Sequence, residues 1–298
     1  MDLLTRMSQA LAYVEENLAG EIDQEKLARI ACCSAYNFYR MFSFITDISL
    51  TEYIRRRRLT LAAIELQADP VKVIDLAMKY GYDSPVSFTR AFQGLHGVTP
   101  TAARAGGVTL KAYPRISFQI SVKGEREMEY RIEKKEAFQV FGIAGVFQLD
   151  GGGAEPSNPH ALWGQSETNG AYEKLESAAG SLPPFVSPGL CKVHGVCDYK
   201  QTPPGTFSYM QCAFRSGDSQ VEGYPVVDVP AYTWAIFPSE RFSWDKVVDS
   251  ISALWKRMDT EWLPTSEYER AGDINFEVYG GDEKQGYVEL WIPVRKKT

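Results

Sequence analysis

Two arginines, Arg40 and Arg90, stand fifty residues apart in matching settings: Phe38-Tyr39-Arg40-Met41-Phe42 and Phe88-Thr89-Arg90-Ala91-Phe92, each with a serine four residues before the first phenylalanine. On a helix the two phenylalanines of each segment share one arc. The arginine turns to the other, with Tyr36 and Tyr39 in the first segment and Val86 and Thr89 in the second. A guanidinium on such a face can donate two parallel hydrogen bonds to a guanine edge, or it can bind phosphate and only position the chain. The tyrosines can meet a thymine methyl or a nucleic-acid backbone, or be a solvated aromatic face; Val86 offers apolar contact alone.

A different chemistry gathers near the C-terminus. Alternation in Asn275-Phe276-Glu277-Val278-Tyr279 and in Tyr287-Val288-Glu289-Leu290-Trp291 separates apolar positions from Glu277, Tyr279, Glu289 and Trp291. Read from the pattern, these four share one surface. Two carboxylates among rings suit an organic cation through charge pairing and cation–π attraction; the plainer reading makes them ordinary solvent-facing strand residues. Trp163, Tyr209 and Trp234 are further candidates for such a pocket, each also fit for the core. His96, His160 and His194 are isolated, and no nucleophile elbow, phosphate loop or metal-ligand spacing occurs. No catalytic residue, metal or cofactor is therefore assigned.

The elements that must carry these residues change character along the chain. Residues 1–104 have helical periodicity and predict seven helices, with Asp23, Ser34, Ser49 and Ser84 as N-caps and Pro85 at a first helical position. Twice a helix, a tight turn and a second helix follow one another, 23–46 and 71–97, joined by a long helix carrying Arg55 to Arg58. This is helix-turn-helix geometry, whose second helix enters a major groove. Four consecutive arginines point in four directions, so most of that run pairs with acids or packs its stems.

Beyond Gly106-Gly107 the pattern alternates and predicts strands, with helices near 162–179 and 244–262. ISFQISVKG (116–124) reads as a strand and the Gly/Pro-rich 151–159 as a loop. This part is itself duplicated. YRIEKKEAF (130–138) matches YPVVDVPAY (224–232) at an offset of 94, and Trp163 with Leu182-Pro183 matches Trp244 with Leu263-Pro264 at an offset of 81. KVHGVCDY and FSYMQCAF then correspond to INFEVYGG and YVELWIPV. The predicted fold is an all-α N-terminal domain, 1–106, and an α+β C-terminal domain, 112–298, of duplicated β-α-β-β units with a groove between the halves.

With 298 residues and 44% hydrophobic content the chain can bury more than one core. The net charge of −6 is uneven: residues 1–107 hold 12 Lys/Arg and 12 Asp/Glu, leaving 20 and 26 for the rest. Any nucleic-acid contact must come from a local patch. No long apolar run or leader pattern occurs and the five cysteines have no metal-like spacing, which points to a cytoplasmic protein with no membrane partner.

Residues 5–106 resemble the AraC/XylS family of transcription regulators through Leu27-Ala28, Ser34, Phe38, Arg40 and Phe42, and then through Leu76-Ala77, Gly81-Tyr82, Phe88, Arg90, Phe92, Gly97, Pro100 and Arg104. The resemblance implies two recognition helices in successive major-groove segments about 34 Å apart. It assigns DNA reading by position to Tyr36, Tyr39 and Arg40, then Val86, Thr89 and Arg90. Cys32-Cys33 stands where Gly plus an aromatic is usual in the family, and Ser43-Phe44 where a basic pair is frequent. Residues 112–296 resemble the GyrI-like effector-binding domain through MEYRIE (128–133), FEVY (276–279) and VELWIPV (288–294), in the domain order of Rob. This implies a small-molecule pocket with an acid at Glu277. Double-stranded DNA, a small hydrophobic effector, cationic where the acid at Glu277 pairs with it, and RNA polymerase are the implied partners. Some GyrI-like domains are credited with hydrolysis by a pocket glutamate, so a hydrolase or a drug-sequestering protein is the alternative reading.

Overall fold

The computed structural model describes residues 3–105, 108–118, 128–149 and 158–297. By contact, the chain divides into two compact units: residues 1–32 with 46–121, and residues 33–45 with 122–298.

The first unit contains α1 (Leu3–Glu16), α2 (Gln24–Ala31), α4 (Leu50–Ala68), α5 (Val73–Lys79), α6 (Pro85–His96) and α7 (Pro100–Arg104); α3 (Ala35–Thr46) falls almost wholly in the second. The expected caps are made. Asp23 accepts from the Glu25 and Lys26 amides, Ser49 from Glu52 and Ser84 from Ser87, each satisfying a donor that the first turn leaves open. Phe88 and Phe92, both fully buried, pack with Leu59, Leu66, Leu76, Tyr80 and Leu95 into the core beneath α6. The arginine run divides as its four directions require. Arg55 and Arg56 hold Glu52, Arg57 grips Glu15 with Nε and Nη2 at 2.9 and 2.7 Å, and Arg58 donates to the Leu18 and Gly20 carbonyls.

Cys32 ends α2 with φ 52°, in the left-handed region, and its amide closes onto the Ala28 and Arg29 carbonyls. A side chain is strained there and glycine is not.

Among the described residues the second unit has ten strands: β1 (Arg131–Lys135), β2 (Phe138–Gln148), β3 (His194–Cys197), β4 (Thr206–Phe214), β5 (Val226–Val229), β6 (Tyr232–Pro238), β7 (Phe242–Ser243), β8 (Tyr268–Arg270), β9 (Asn275–Gly281) and β10 (Gln285–Lys296). Helices α8 (Pro159–Thr168) and α9 (Ala171–Ala178) belong to the first half. The second half has α10 (Val247–Arg257), continued by a π-turn over Met258–Trp262. The sheet order is β1-β6-β10-β9-β3-β4-β2-β5, with short β7 and β8 also on β10. It reads as a mirror about the β9–β3 pair, so the internal repeat is a two-fold arrangement in space.

Three sequence expectations change in detail. The alternating segment EYRIEKKEAFQVFGIAGVF (129–147), which reads as one strand, is two: β1 crosses to pair with β6 of the second half, while β2 stays beside β4. The matching break at Pro230 sends β5 back to β2. The helix near 162–179 is two, parted at Gly170 with φ 74°. Of the strand expected over 116–124, residues 116–118 are irregular and 119–124 lie outside the described residues, as do 151–157 of the Gly/Pro-rich loop.

Two predictions follow from this framework. Cys32→Gly is expected to stabilise the first unit by about 0.5–1 kcal/mol, measured by thermal melting followed through helical circular dichroism; a loss of stability would refute the strain. The second concerns pH. Burial pushes the His194 imidazole down to about 3 from an ordinary 6.5, and its Nδ1 accepts from the Tyr279 amide at 3.2 Å. The unfolded chain takes up that proton first, so this stabilisation is complete above pH 6.5 and is lost as pH falls towards 3. Asp198 runs the other way: burial raises its carboxyl to about 6, and its contribution is lost as pH rises from 3.8 to that value. All six tryptophans lie beyond residue 162, so their fluorescence follows the second unit alone. In denaturant titrations between pH 6.5 and 4, wild type should lose more stability than His194→Gln, and equal losses would exclude His194 as the acid-sensitive group.

Candidate functional site

On α6 the side chains opposite the buried phenylalanines are free. Val86 is 69% exposed, Arg90 is exposed, and both line one shallow concavity with Pro85, Thr89, Gln93 and Gly94. The spacing of these positions marks a single helix face.

On α3 the wheel also holds, since Phe38, Met41 and Phe42 are buried on one side. Its other side is covered instead of solvated. The Tyr36 ring stacks on Phe207 of β4, centroids 4.4 Å apart at 21°. The Arg40 guanidinium lies over the Trp255 ring at 3.4 Å from its centroid, and its Nη2 is 3.4 Å from Asp259 Oδ2. The Arg40 side chain is 9% exposed and that of Asp259 0%. Asp259 also accepts from Arg270 Nη2 at 2.9 Å, and Arg270 Nη1 reaches Asn275 Oδ1 at 2.9 Å. Tyr39 is half-buried.

Beneath this lies Glu277, on β9 opposite Gly195 of β3. Both of its oxygens are engaged: Trp255 Nε1 donates to Oε1 at 3.0 Å and the Tyr279 hydroxyl to Oε2 at 3.0 Å. Trp163 of α8 donates to the Tyr209 hydroxyl at 2.7 Å and meets the Tyr279 ring edge-on at 5.4 Å. Burial, then the negative charge of Glu277, raise the hydroxyls of Tyr209 and Tyr279 well above their ordinary values, so both stay protonated. A Cβ on residue 195 would stand 2.5 Å from the Tyr209 hydroxyl oxygen and 3.2 Å from Glu277 Oε2, so glycine is what lets the two approach.

The shared surface for both glutamates is corrected by the strand register. Leu290 lies opposite Glu277, and Glu289 opposite Val278, so a side-chain period of two sends Glu289 and Trp291 to the other face. There Glu289, 6% exposed, accepts from Arg131 at 2.8 Å and Trp291 at 2.9 Å. Trp291 and Trp234 pack with Phe214 and Phe276 in the core. Of the seven ligand candidates, Glu277, Tyr279, Trp163 and Tyr209 converge; Glu289, Trp291 and Trp234 do not join them.

Sequence reasoning missed Trp255, Asp259, Arg270 and Phe207. Asp259 left a signal, since an acid between Trp255 and Trp262 interrupts the apolar arc of the last helix. Trp244, which the repeat aligns with Trp163, instead sits against Gly286 and donates to the Asp282 carbonyl. The arrangement can hold a cation between carboxylates and ring faces. Among the described residues no group of three or more His, Cys, Asp and Glu could hold a metal ion, and no helix is long and apolar enough to cross a membrane.

Comparison with known proteins agrees with both parts. The model of the integron-associated effector binding protein family matches residues 131–294, and that of a helix-turn-helix domain matches 27–106. The chain is 37% identical to the HTH-type transcriptional activator AarP of Providencia stuartii over 98 residues, 33% of this chain and 73% of AarP. It is 34% identical to the regulatory protein SoxS of Escherichia coli K12 over 94 residues, 32% of this chain and 88% of SoxS. A bacterial transcription regulation protein from Staphylococcus aureus MU50 aligns with 57% of this chain and 99% of its own at 16% identity and a TM-score of 0.43. The chain belongs to the integron-associated effector-binding family and, with its AraC-type helix-turn-helix domain in front, is an AraC-family transcription regulator.

Proposed function

We propose that residues 1–106 bind operator DNA sequence-specifically and that residues 112–298 bind a small hydrophobic cation that modulates this binding. The observation that carries the ligand reading is the convergence of Glu277 with the Tyr279, Tyr209, Trp163 and Trp255 side chains on one face of the sheet. A carboxylate in a ring-lined site discriminates a cation from neutral or anionic molecules of the same shape. In this reading Glu289, Trp291 and Trp234 hold the sheet and its core in shape. Glu277 spends both oxygens on hydrogen bonds to an indole and a phenol, which favours binding over turnover. RNA polymerase is the protein partner of the DNA-bound form.

For DNA, Val86, Thr89 and Arg90 are the reading residues of α6, and Tyr36, Tyr39 and Arg40 those of α3. A ligand can alter DNA occupancy only by its differential affinity for two arrangements of the chain.

Fluorescence anisotropy on a duplex from the chain's own promoter tests the first half. Arg90→Ala should weaken binding about tenfold and relax preference at one base pair, the effect of losing a bidentate guanine contact worth roughly 1–3 kcal/mol. Unchanged affinity and preference would end the assignment. Titration calorimetry with tetraphenylphosphonium tests the second. Glu277→Gln is expected to lose tenfold or more in affinity. Glu289→Gln should lower thermal stability and leave cation affinity within about twofold; the reverse pattern would overturn the site.

A further inference from the structure

Helix α3 is received by the effector fold as a ligand would be. At its N-terminus the Ser34 amide donates to Asp273 Oδ1 at 2.9 Å, and Asn37 Nδ2 reaches the same oxygen at 3.4 Å. Asp198 faces Ser34 as well. Two residues on, Tyr36 stacks on Phe207, and one turn further, Arg40 enters the seat formed by Trp255 and Asp259. The carboxylates facing this stretch of α3 are Asp198, Asp259, Asp273 and Glu277, and the base facing it from the sheet is Arg270.

A run of acids set against a helix N-terminus and an outward arginine is what a phosphate backbone presents to a recognition helix. The seat is not a finished core contact. Arg40 Nε and Nη1 are buried with no hydrogen-bond acceptor, so its guanidinium is held by the ring faces of Trp255 and Tyr36, at 3.4 and 5.4 Å, and by one carboxylate. A structural arginine such as Arg57 is instead gripped by two nitrogens on one acid. Trp255 is common to both functions: its ring lies under Arg40 while its Nε1 donates to Glu277.

We propose that α3 is an internal ligand of the effector site, with Arg40 in the cation position, so that an effector cation and α3 occupy the site alternately and the cation releases α3 to read DNA. This rests on the assignment of α3 as a reading helix and of Glu277 as part of the effector site. Arg40 cannot lie between Trp255 and Asp259 and on a base edge at once, so each occupant disfavours the other, and linkage makes the effect reciprocal.

The test uses the full chain, the promoter duplex and tetraphenylphosphonium. Asp259→Asn changes a buried residue of the sensing fold, yet it is expected to raise DNA affinity at least fivefold without any cation. Asp273→Asn, at an exposed position that leaves the sheet intact, should act in the same direction by about twofold. Arg40→Ala should bind the cation at least fivefold more tightly than wild type while losing DNA affinity. The cation should raise wild-type DNA affinity and do little for Asp259→Asn. DNA affinity unchanged or lowered in both aspartate variants overturns the proposal, as does equal cation affinity of wild type and Arg40→Ala. If the cation binds neither of those two proteins, the effector-site assignment fails; the aspartate variants then still decide whether α3 is held, because their readout needs no cation.

Discussion

The arrangement depends on one backbone pairing, Gly195 of β3 against Glu277 of β9, where the two halves of the duplicated fold meet. The pairing continues the sheet through the pseudo-two-fold centre. It also leaves a hole above residue 195 that a side chain would fill. Tyr209 leans into that hole from one half and Glu277 from the other. A polar site therefore exists at the seam because one position has no Cβ, and the tryptophans on α8 and α10 close over it from either side through hydrogen bonds to Tyr209 and Glu277.

Much of the fold was legible in the residues because local and global signals agreed. Helices α2, α3, α4, α6 and α7 carry their own side-chain caps, and each expected element of 1–104 is present among the described residues. The duplication was legible as matched segments. The exchange of first strands was not, because a charged run ending at Glu136, or a Pro230, marks where one strand can end and not which half the next strand joins. Only the pairing partners tell, and these are long-range.

The site was half legible for a similar reason. Glu277 stood out as an acid amid aromatics, and its neighbours Tyr279, Tyr209 and Trp163 were named from ring chemistry. Which face Glu289 takes depends on the β9–β10 register, and the pattern of either strand alone cannot fix it; one residue of slip exchanges the faces. The covering of Tyr36 and Arg40 was invisible from the wheel, which says which arc is polar and nothing about what lies against it. An exposed polar arc and a polar arc docked on acids look the same in sequence. Asp259 shows the converse, since its place on an apolar arc marked a buried charge whose partners, Arg40 and Arg270, come from far along the chain.

The exchanged strands have a consequence for how such a domain can be dissected. β1 completes the edge of the second half and β5 that of the first, so neither half owns all the hydrogen-bonding partners its own sheet requires. Cut at the loop before β5, each piece would keep a strand with no place in its own sheet and an edge lacking its mate. The only closed solution left to a lone piece is to trade that strand with a second copy of itself. The single polypeptide holds within one chain the strand exchange of a swapped dimer, and its two seam positions, equivalent in the repeat, are a glycine on one side and a glutamate on the other.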